Sequence, residues 1–300
     1  MNPLSLKLIV AALFATSSLA LCAQDAQTGH GAPEPPMAGI HWAKGFGPKK
    51  GARPTSSPNL IYHGGPVQHG VAVQSIFWGS TWGSEGAKIA DLDTFYKGVG
   101  GSSYAGTNTE YTDAKGNVSS SVSFSGHVID LSATNANGQR TSQILGEVCS
   151  QISNPVANGY YPVYVDQPRG GAQFCAWHSA GTCGGVNVTF AFFFKLDGDA
   201  GCDPEDSTTG HTQGVAALGN VSGHELSEML TDPQLNAWYD SGGEENADKC
   251  AWSFGSDYVT FKNRSIWKIQ GNWSNSAYDS NSGYPNRSGQ NGCLDGGNFK

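Results

Sequence analysis

Charged side chains are scarce in this chain of 300 residues. Asp, Glu, Lys and Arg together make up 14% of it, and only 17 residues are Lys or Arg. A chain without a basic stripe lacks the electrostatic footprint of a nucleic-acid-binding protein, so we exclude nucleic acid as a partner. The net charge of −8 favours solubility and identifies no partner by itself.

Long apolar runs and several catalytic motifs are missing too. Beyond its first residues the sequence holds no segment apolar enough to cross a bilayer. It also lacks a glycine-rich phosphate loop and a Gly-x-Ser-x-Gly motif. These absences argue against nucleotide-dependent enzymes and against the usual serine hydrolases.

The apolar run at the N-terminus predicts export. The run Leu8–Ala15 follows Lys7 and precedes small residues that end at Ala23, a pattern that predicts a signal peptide over residues 1–23. The run is short for a membrane span, and the bulky Leu21 before Cys22 argues against a lipid anchor. We therefore expect a secreted mature chain, extracellular or periplasmic, with no membrane insertion after signal cleavage.

Six cysteines remain after the predicted signal: Cys149, Cys175, Cys183, Cys202, Cys250 and Cys293. An even number in an exported chain predicts up to three disulfides, but sequence alone does not select their pairing. The close neighbours Cys175 and Cys183 are the pair that we expect, and Cys250 should anchor the acidic loop before it. A zinc knuckle is the alternative interpretation, which an oxidising compartment disfavours.

Composition and periodicity divide the rest of the chain. Residues 24–58 are rich in Gly, Pro, Ala and Ser without a period, which predicts a flexible leader. We expect one domain over residues 59–300, with an upper half at 59–232 and a lower half at 233–300. Its period-2 and helical patterns predict strands at 71–77, 160–165 and 186–194, a hairpin formed by 107–111 and 118–129, and helices at 87–99, 141–152 and 214–230.

Strands and helices therefore interleave until the helix at 214–230, after which the chain has little period. This order predicts an α+β fold: a sheet with helices on one face, an active-site helix, and an irregular C-terminal part tied by disulfides. Zinc-protease catalytic domains share the order, so we expect a zincin-like sheet by analogy of fold.

The segment Val221–Asp232 opens like the active-site helix of a zinc protease, with His224 and Glu225 in the expected places. The second histidine of that motif is replaced by Glu228. Because residues four apart lie on one helix face, His224 and Glu228 present two ligand types that Zn²⁺ accepts. Glu225 points about 100° away and is the candidate general base for a metal-activated water. The alternative is an amphipathic helix with three solvated polar residues.

Acidic residues return soon after this helix. Glu245 and Asp248 lie in a loop that ends at Cys250, and either of them is a candidate third metal ligand. A solvated acidic turn is the alternative interpretation of this loop.

At these motifs the chain resembles the Exordium (phosphate-induced protein 1) family. The resemblance spans about residues 60–250 and includes His224–Glu228 with Thr231–Pro233, Asn236–Tyr239 and the loop ending at Cys250, together with Tyr62–Val67, Ile76–Gly79 and Phe174–His178. It implies a secreted protein linked to the cell wall or apoplast. The residues that match the family motifs are His63, Trp177, His178, His224, Glu225, Glu228, Trp238, Glu245, Asp248 and Cys250. After Cys250 the chain departs from the plant pattern.

Three other features have a structural and a functional interpretation. His178 fits a structural histidine better than a metal ligand, and His63 fits a turn. The acidic loop around Asp197 and Asp199, with Asp203, Glu205 and Asp206, could hold calcium or be a plain loop. The aromatic residues after Cys250 could stack on sugars, although core packing is their usual role.

The sequence thus predicts a secreted zinc-dependent hydrolase, a metallopeptidase acting on an extracellular protein or cell-wall substrate. The alternative is a non-catalytic extracellular protein, wall-associated or signalling, that keeps the helix only as structure.

Overall fold

A six-stranded sheet lies at the centre of the computed structural model, which describes residues 34–47 and 57–297. The signal peptide predicted at 1–23 lies outside the described residues. In the order β1-β8-β9-β7-β3-β6, the sheet consists of β1 (Ala38–Trp42), β8 (Phe174–Cys183), β9 (Val186–Lys195), β7 (Gly159–Pro168), β3 (Val71–Trp78) and β6 (Val122–Asp130).

The remaining described strands are short: β2 (Ile61–Tyr62), β4 (Thr112–Asp113), β5 (Gly116–Asn117), β10 (Trp238–Tyr239), β11 (Val259–Thr260), β12 (Ile266–Trp267), β13 (Asn272–Trp273), β14 (Tyr284–Pro285) and β15 (Asn291–Leu294). The helices are α1 (Gly86–Val99), α2 (Ser103–Gly106), α3 (Thr141–Gln151), α4 (Gln213–Thr231) and α5 (Asn275–Asp279).

Most pairings in the central sheet are parallel. Strand β3 pairs in parallel with β6 and β7, and β7 pairs in parallel with β9, whereas β8 is antiparallel to both β9 and β1. Strands β7 and β9 are almost continuously apolar and buried, as expected for strands covered on both faces. The fold is therefore mixed α/β with a mostly parallel sheet, and zincin-specific features remain a prediction.

Helices cover both faces of the sheet, not one as the sequence predicted. Tyr164 of β7 bonds Tyr96 of α1 at 2.8 Å and Ser222 of α4 at 2.7 Å, so α1 and α4 share a face. A Cβ atom on Gly181 of β8 would lie 2.6 Å from Leu145 of α3. His178, three residues before Gly181 on β8, lies 3.7 Å from Glu228 of α4. Because side chains alternate between faces along a strand, Gly181 and α3 lie on the face opposite α4. Helices are needed on both faces because β7 and β9 carry apolar side chains on both faces.

Helix α4 is buried along its whole length. The side chain of Thr212 accepts a hydrogen bond from the Val215 N–H and begins the helix. One side of α4 faces the sheet. On its other side, Gly219 and Gly223 allow the C-terminal part of the chain to approach closely. A Cβ atom at Gly219 would lie 2.6 Å from Trp267. The polar residues of α4 are thus held inside the protein, which contradicts the interpretation of a solvated helix face.

Three disulfides are present, with a pairing different from the predicted one. They join Cys149 to Cys183, Cys175 to Cys202, and Cys250 to Cys293. The prediction of a Cys175–Cys183 pair is wrong, because both residues lie in β8 and an extended strand keeps them far apart. The expected anchoring of the acidic loop through Cys250 is confirmed, since its partner Cys293 lies in β15.

Most of the predicted flexible leader, residues 24–33 and 48–56, lies outside the described residues, and the part that is described differs from the prediction. Residues Ala38–Trp42 form strand β1 and pair with β8, although the sequence shows no period there. The helices at 87–99, 141–152 and 214–230 and the strands at 71–77, 160–165 and 186–194 correspond to observed elements. The predicted long hairpin is reduced to the β4–β5 pair, and β6 joins the central sheet instead. Among the described residues, we find no helix with the length and apolarity needed to span a membrane.

Candidate metal site in the central helix

The middle of α4 carries the two polar residues that the motif predicted as metal ligands. The Nε2 atom of His224 lies 3.1 Å from Oε1 of Glu228, one helical turn later. Both side chains are fully buried. The i to i+4 spacing therefore places an imidazole nitrogen and a carboxylate oxygen side by side, as the sequence predicted.

The acidic loop closes over these residues. The Asp248 backbone N–H donates to Oε1 of Glu228 at 2.9 Å. The side chain of Asp248 also approaches the helix, with its Oδ1 atom 3.6 Å from Nε2 of His224. Glu245 is also buried, with an exposed fraction of 3%. The disulfide between Cys250 and Cys293 fixes the end of this loop. The loop therefore brings both predicted acidic residues to the helix, and it is not a solvated turn.

His178 joins the same group, although the sequence favoured a structural role for it. Its Nε2 atom lies 3.3 Å from Oε1 of Glu245 and 3.7 Å from Oε2 of Glu228. Strand β8 places this ring on the face that α4 covers. The available signal was a histidine inside the apolar run that begins at Phe174, because such a residue faces the core and needs polar partners.

These side chains form two groups of metal-ligand type that share Glu228. One group is His178, Glu228 and Glu245, and the other is His224, Glu228 and Asp248. Within the described residues, Nε2 of His224, Oε2 of Glu228 and Oε2 of Glu245 are buried without a hydrogen-bond partner. Buried polar atoms are normally satisfied, so this convergence fits a cation. The donor set of imidazole nitrogen and carboxylate oxygen is one that several divalent transition-metal ions accept.

Burial also sets the protonation of the group. It raises the pKa of Glu228, Glu245 and Asp248 well above their usual range, and neighbouring carboxylates raise it further. Burial lowers the pKa of His224 and of His178. Buried acids and histidines are therefore both driven toward their neutral forms. A divalent cation would supply the positive charge that lets the carboxyl groups ionise in place.

Glu225, the predicted general base, lies beside this group and toward strand β1. Burial raises the pKa of its carboxyl well above the usual range, with the nearby Glu228 carboxylate as the next cause. The backbone N–H of His41 in β1 acts in the opposite direction. Neither carboxyl oxygen has a hydrogen-bond partner in the part of the chain that the structure describes. Its carboxyl group is thus buried against β1, with the His41 N–H as its nearest polar neighbour there.

Two further residues of the site were missed by the sequence reasoning. His41 of β1 is fully buried, with its ring 4.4 Å from the ring of His224. The side chain of Gln270 bridges the two rings, with its Oε1 atom 2.9 Å from Nε2 of His41 and its Nε2 atom 2.9 Å from Nδ1 of His224. Both residues lie in segments without a period, so the sequence offered no signal for either.

Strand β1 covers the group closely. A Cβ atom at Gly39 would lie 2.0 Å from Oε2 of Glu228 and 2.2 Å from Cδ2 of His178. Gly39 also has a φ of +52°, a conformation that glycine adopts without strain. The larger surface cavity found in the described regions lies elsewhere, lined by Glu110, Trp238 and Asn275. The candidate site is therefore closed by backbone of the chain itself.

The other candidates have structural roles. Three carboxylates of the other acidic segment, residues 197–206, pair with basic side chains: Asp197 with Lys88, Asp199 with Arg169, and Glu205 with Lys44. This segment therefore does not fit calcium. His63 stacks on Tyr239, and the aromatic residues Trp267 and Trp273 belong to the core. Asp232 accepts hydrogen bonds from the Asn236 and Ala237 N–H groups after α4. Its carboxylate is thereby committed to the backbone.

No family model, no curated protein and no solved structure matches this chain. The resemblance to the Exordium family therefore stays a prediction.

Proposed function

We propose that this protein is a secreted zinc-dependent hydrolase, a metallopeptidase. One observation carries the proposal: two buried ligand groups converge on Glu228 from three separate parts of the fold, and each leaves a ligand atom unpartnered among the described residues. An isolated buried carboxylate is costly, so a protein that collects several around two histidines has a reason to bind a cation there.

Two sets of residues would hold zinc, and they share Glu228: His178, Glu228 and Glu245 form one set, and His224, Glu228 and Asp248 form the other. When bound, zinc acts as a Lewis acid and lowers the pKa of a coordinated water toward about 7. The disulfide at Cys250 keeps the acidic loop against α4, so the loop ligands are positioned before the ion arrives. Preorganised ligands bind a cation without the entropic cost of ordering a loop.

In this proposal Glu225 moves the proton. Its carboxyl lies beside the backbone N–H of His41 in β1, so a substrate strand in the place of β1 would pass next to it. Burial favours the protonated form of its carboxyl, and a cation held by the neighbouring ligands would lower that pKa again, so that the ionised carboxylate could accept a proton and return it to the leaving amine. Glu225 is not a metal ligand in this scheme.

Export and family membership belong to the same proposal. Three disulfides are typical of chains that mature in an oxidising compartment, which supports secretion. Membership of the Exordium family would associate the protein with the cell wall, where an extracellular protein or a wall component would be the substrate.

A second candidate function follows from the closure of the site. His178, His224 and Glu228 are fully buried. Structural metal sites are closed in this way, whereas catalytic sites keep a position open. On this basis the alternative is a non-catalytic extracellular protein, wall-associated or signalling, whose metal stabilises the fold.

Metal content tests the proposal first. Purified mature protein should contain zinc by elemental analysis, and Glu228→Gln should lose most of it because both groups share this residue. Glu244→Gln is the matched control, since Glu244 belongs to the same loop but to neither ligand group. A wild-type protein without zinc, even after dialysis against zinc, would remove the proposed function.

Activity then separates the two candidate functions. Strand β1 covers the site, so the assay uses protein that has been cut after β1 and freed of that strand. This protein should hydrolyse a labelled, denatured protein substrate in a reaction that a chelator stops and added zinc restores. Zinc at full stoichiometry with no hydrolysis, even after strand β1 has been released, would favour the non-catalytic protein.

A further inference from the structure

Strand β1 lies in a groove that two parts of the protein form. On one side it pairs with β8, and on the other it contacts residues that follow α4. The Ala43 N–H donates to the Gln173 carbonyl at 2.9 Å, while Nε1 of Trp252 donates to the Trp42 carbonyl at 2.9 Å. The strand is thus held from both sides through its main chain.

The main chain just before β1 is also held by hydrogen bonds. The Ser179 hydroxyl donates to the Pro36 carbonyl at 2.6 Å, and the Thr141 hydroxyl donates to the Pro35 carbonyl. Main-chain contacts do not depend on side-chain identity. An extended peptide of another sequence could therefore make them in the same places.

Specific contacts occur at two positions in the groove. The first lies over the candidate metal site, where only glycine fits: the space that a side chain of Gly39 would take belongs to Glu228 and His178. The second is a pocket that holds the His41 ring. It is formed by Trp252, whose ring centroid is 4.6 Å from that of His41, together with His224 and Gln270.

We propose that this groove is a binding site for an extended polypeptide strand, and that residues 34–44 of the chain occupy it as an intramolecular ligand. The inference that such a strand is the substrate class rests on the proposed function. A preferred strand has glycine over the metal ligands and, two residues later, a planar side chain that hydrogen-bonds Gln270. While β1 occupies the groove, the site is closed to other peptides.

Cutting the chain between β1 and the rest of the domain tests this inference. A specific protease site replaces residues 49–55 of the full chain, and the protein is cut after folding. A fluorescent peptide with the sequence of residues 34–47 is then added, and its anisotropy reports exchange into the groove. We expect the peptide to replace the cut segment while near-ultraviolet circular dichroism shows that the remaining domain stays folded.

Two altered peptides give the matched comparison. Both Gly39 and Gly45 have positive φ, at +52° and +83°, but a Cβ atom at Gly45 would meet nothing within 4 Å. The Gly39→Ala peptide should bind about 100-fold more weakly than the Gly45→Ala peptide, because overpacking at such a contact reaches about that size. Equal binding of the two peptides would show that the groove does not hold position 39 over the ligand residues and would overturn the inference.

Two other results are decisive. If the labelled peptide fails to exchange, or if the domain unfolds when the segment leaves, β1 is a permanent part of the sheet and the inference is wrong. The titration is run with zinc and with chelator to separate the two proposals. Exchange in a protein that binds no zinc would leave a peptide-binding groove and remove the hydrolase, whereas zinc binding without exchange would remove only the groove.

Discussion

The side-chain amide of Gln270 donates to Nδ1 of His224 across 2.9 Å. Two backbone groups fix the direction of this amide, because the Trp252 N–H donates to its Oε1 and its Nε2 donates to the Ala247 carbonyl. Nδ1 of His224 is thus the acceptor, and the neutral ring carries its proton on Nε2, facing Glu228. A cation at Nε2 would need that proton to move to Nδ1, and the Gln270 amide would have to turn so that its oxygen faces Nδ1–H, because an amide nitrogen cannot accept a hydrogen bond.

Replacing this amide by a carboxylate should strengthen metal binding. In Gln270→Glu, the new carboxylate accepts a hydrogen bond from Nδ1–H of His224 and leaves the Nε2 lone pair free for the ion. Outer partners of this kind change metal affinity by about 10–100-fold. We expect zinc affinity to rise by about 10-fold in a competition titration with a chromophoric chelator. Unchanged or weaker affinity would show that His224 does not bind zinc through Nε2.

Glu225 and Glu228 should respond differently to the same substitution. Glu225→Gln keeps the shape of the side chain and touches no proposed ligand, so zinc content should equal that of the wild type. Hydrolysis should fall by about 10²–10⁴-fold, the usual effect of losing a positioned general base. Elemental analysis and a hydrolysis assay on the same samples, cut and freed of strand β1, measure both, with Glu228→Gln as the zinc-free reference. Loss of zinc from Glu225→Gln would place Glu225 among the ligands.

The two glycines Gly223 and Gly146 should respond in opposite directions to alanine. A Cβ atom at Gly223 of α4 would lie 2.1 Å from Ile269, whereas at Gly146 of α3 it would meet nothing within 4 Å. Gly223→Ala should lower the free energy of unfolding by about 1–3 kcal/mol through overpacking. Gly146→Ala should raise it by about 0.4–1 kcal/mol, because alanine loses less backbone entropy. Urea titrations of both variants measure the change in the free energy of unfolding. Stabilisation by Gly223→Ala would contradict the close approach of the C-terminal part of the chain to α4.

Stability should depend on pH through Glu147 in α3. Burial, with the neighbouring Asp130 carboxylate, raises its pKa from 4.5 to about 7. The folded protein therefore keeps this proton over a pH range in which the unfolded chain has lost it. The stabilisation is complete below about pH 4.5 and is lost as the pH rises through 7. We expect a loss of about 1–2 kcal/mol, less than the full shift implies because solvent screens a group near the surface.

Glu147→Gln provides the comparison. The free energy of unfolding of this variant should lack the pH dependence that Glu147 causes. The difference in free energy of unfolding between variant and wild type should therefore change between pH 4.5 and pH 7. Chemical denaturation at a series of pH values, at equal zinc content, measures it. A difference that stays constant across this range would mean that Glu147 titrates normally.

The elements with a strong period could be predicted from the sequence. Helix α4 is an example, because its apolar residues recur at helical spacing. The pair His224 and Glu228 followed from that helix alone, since residues four apart share a face whatever the fold. Glu245 and Asp248 were predicted by their distance along the chain from α4 and by Cys250 after them.

The rest depended on long-range contacts that have no local signature. Strand β1 is held through main-chain hydrogen bonds and by two glycine- and histidine-specific contacts, so its composition resembles that of a linker. His178 and Gln270 reach the site only because β8 and the C-terminal part pack on α4. The disulfide partners were mispredicted for the same reason, as Cys175 and Cys183 are near in sequence but at different points of one extended strand.

The position of β1 at one edge of the sheet has a consequence for handling the protein. An exposed edge strand offers unpaired N–H and C=O groups to other chains and promotes aggregation. At the opposite edge, β6 has an irregular register at Gly126, whose φ is +101°, and bulges of this kind discourage further pairing. β8 has apolar residues from Phe174 to Trp177 and only β1 to cover its outer edge. A chain that has been cut after β1 and has lost that strand should therefore self-associate through β8. It should stay monomeric when another peptide pairs with the outer edge of β8.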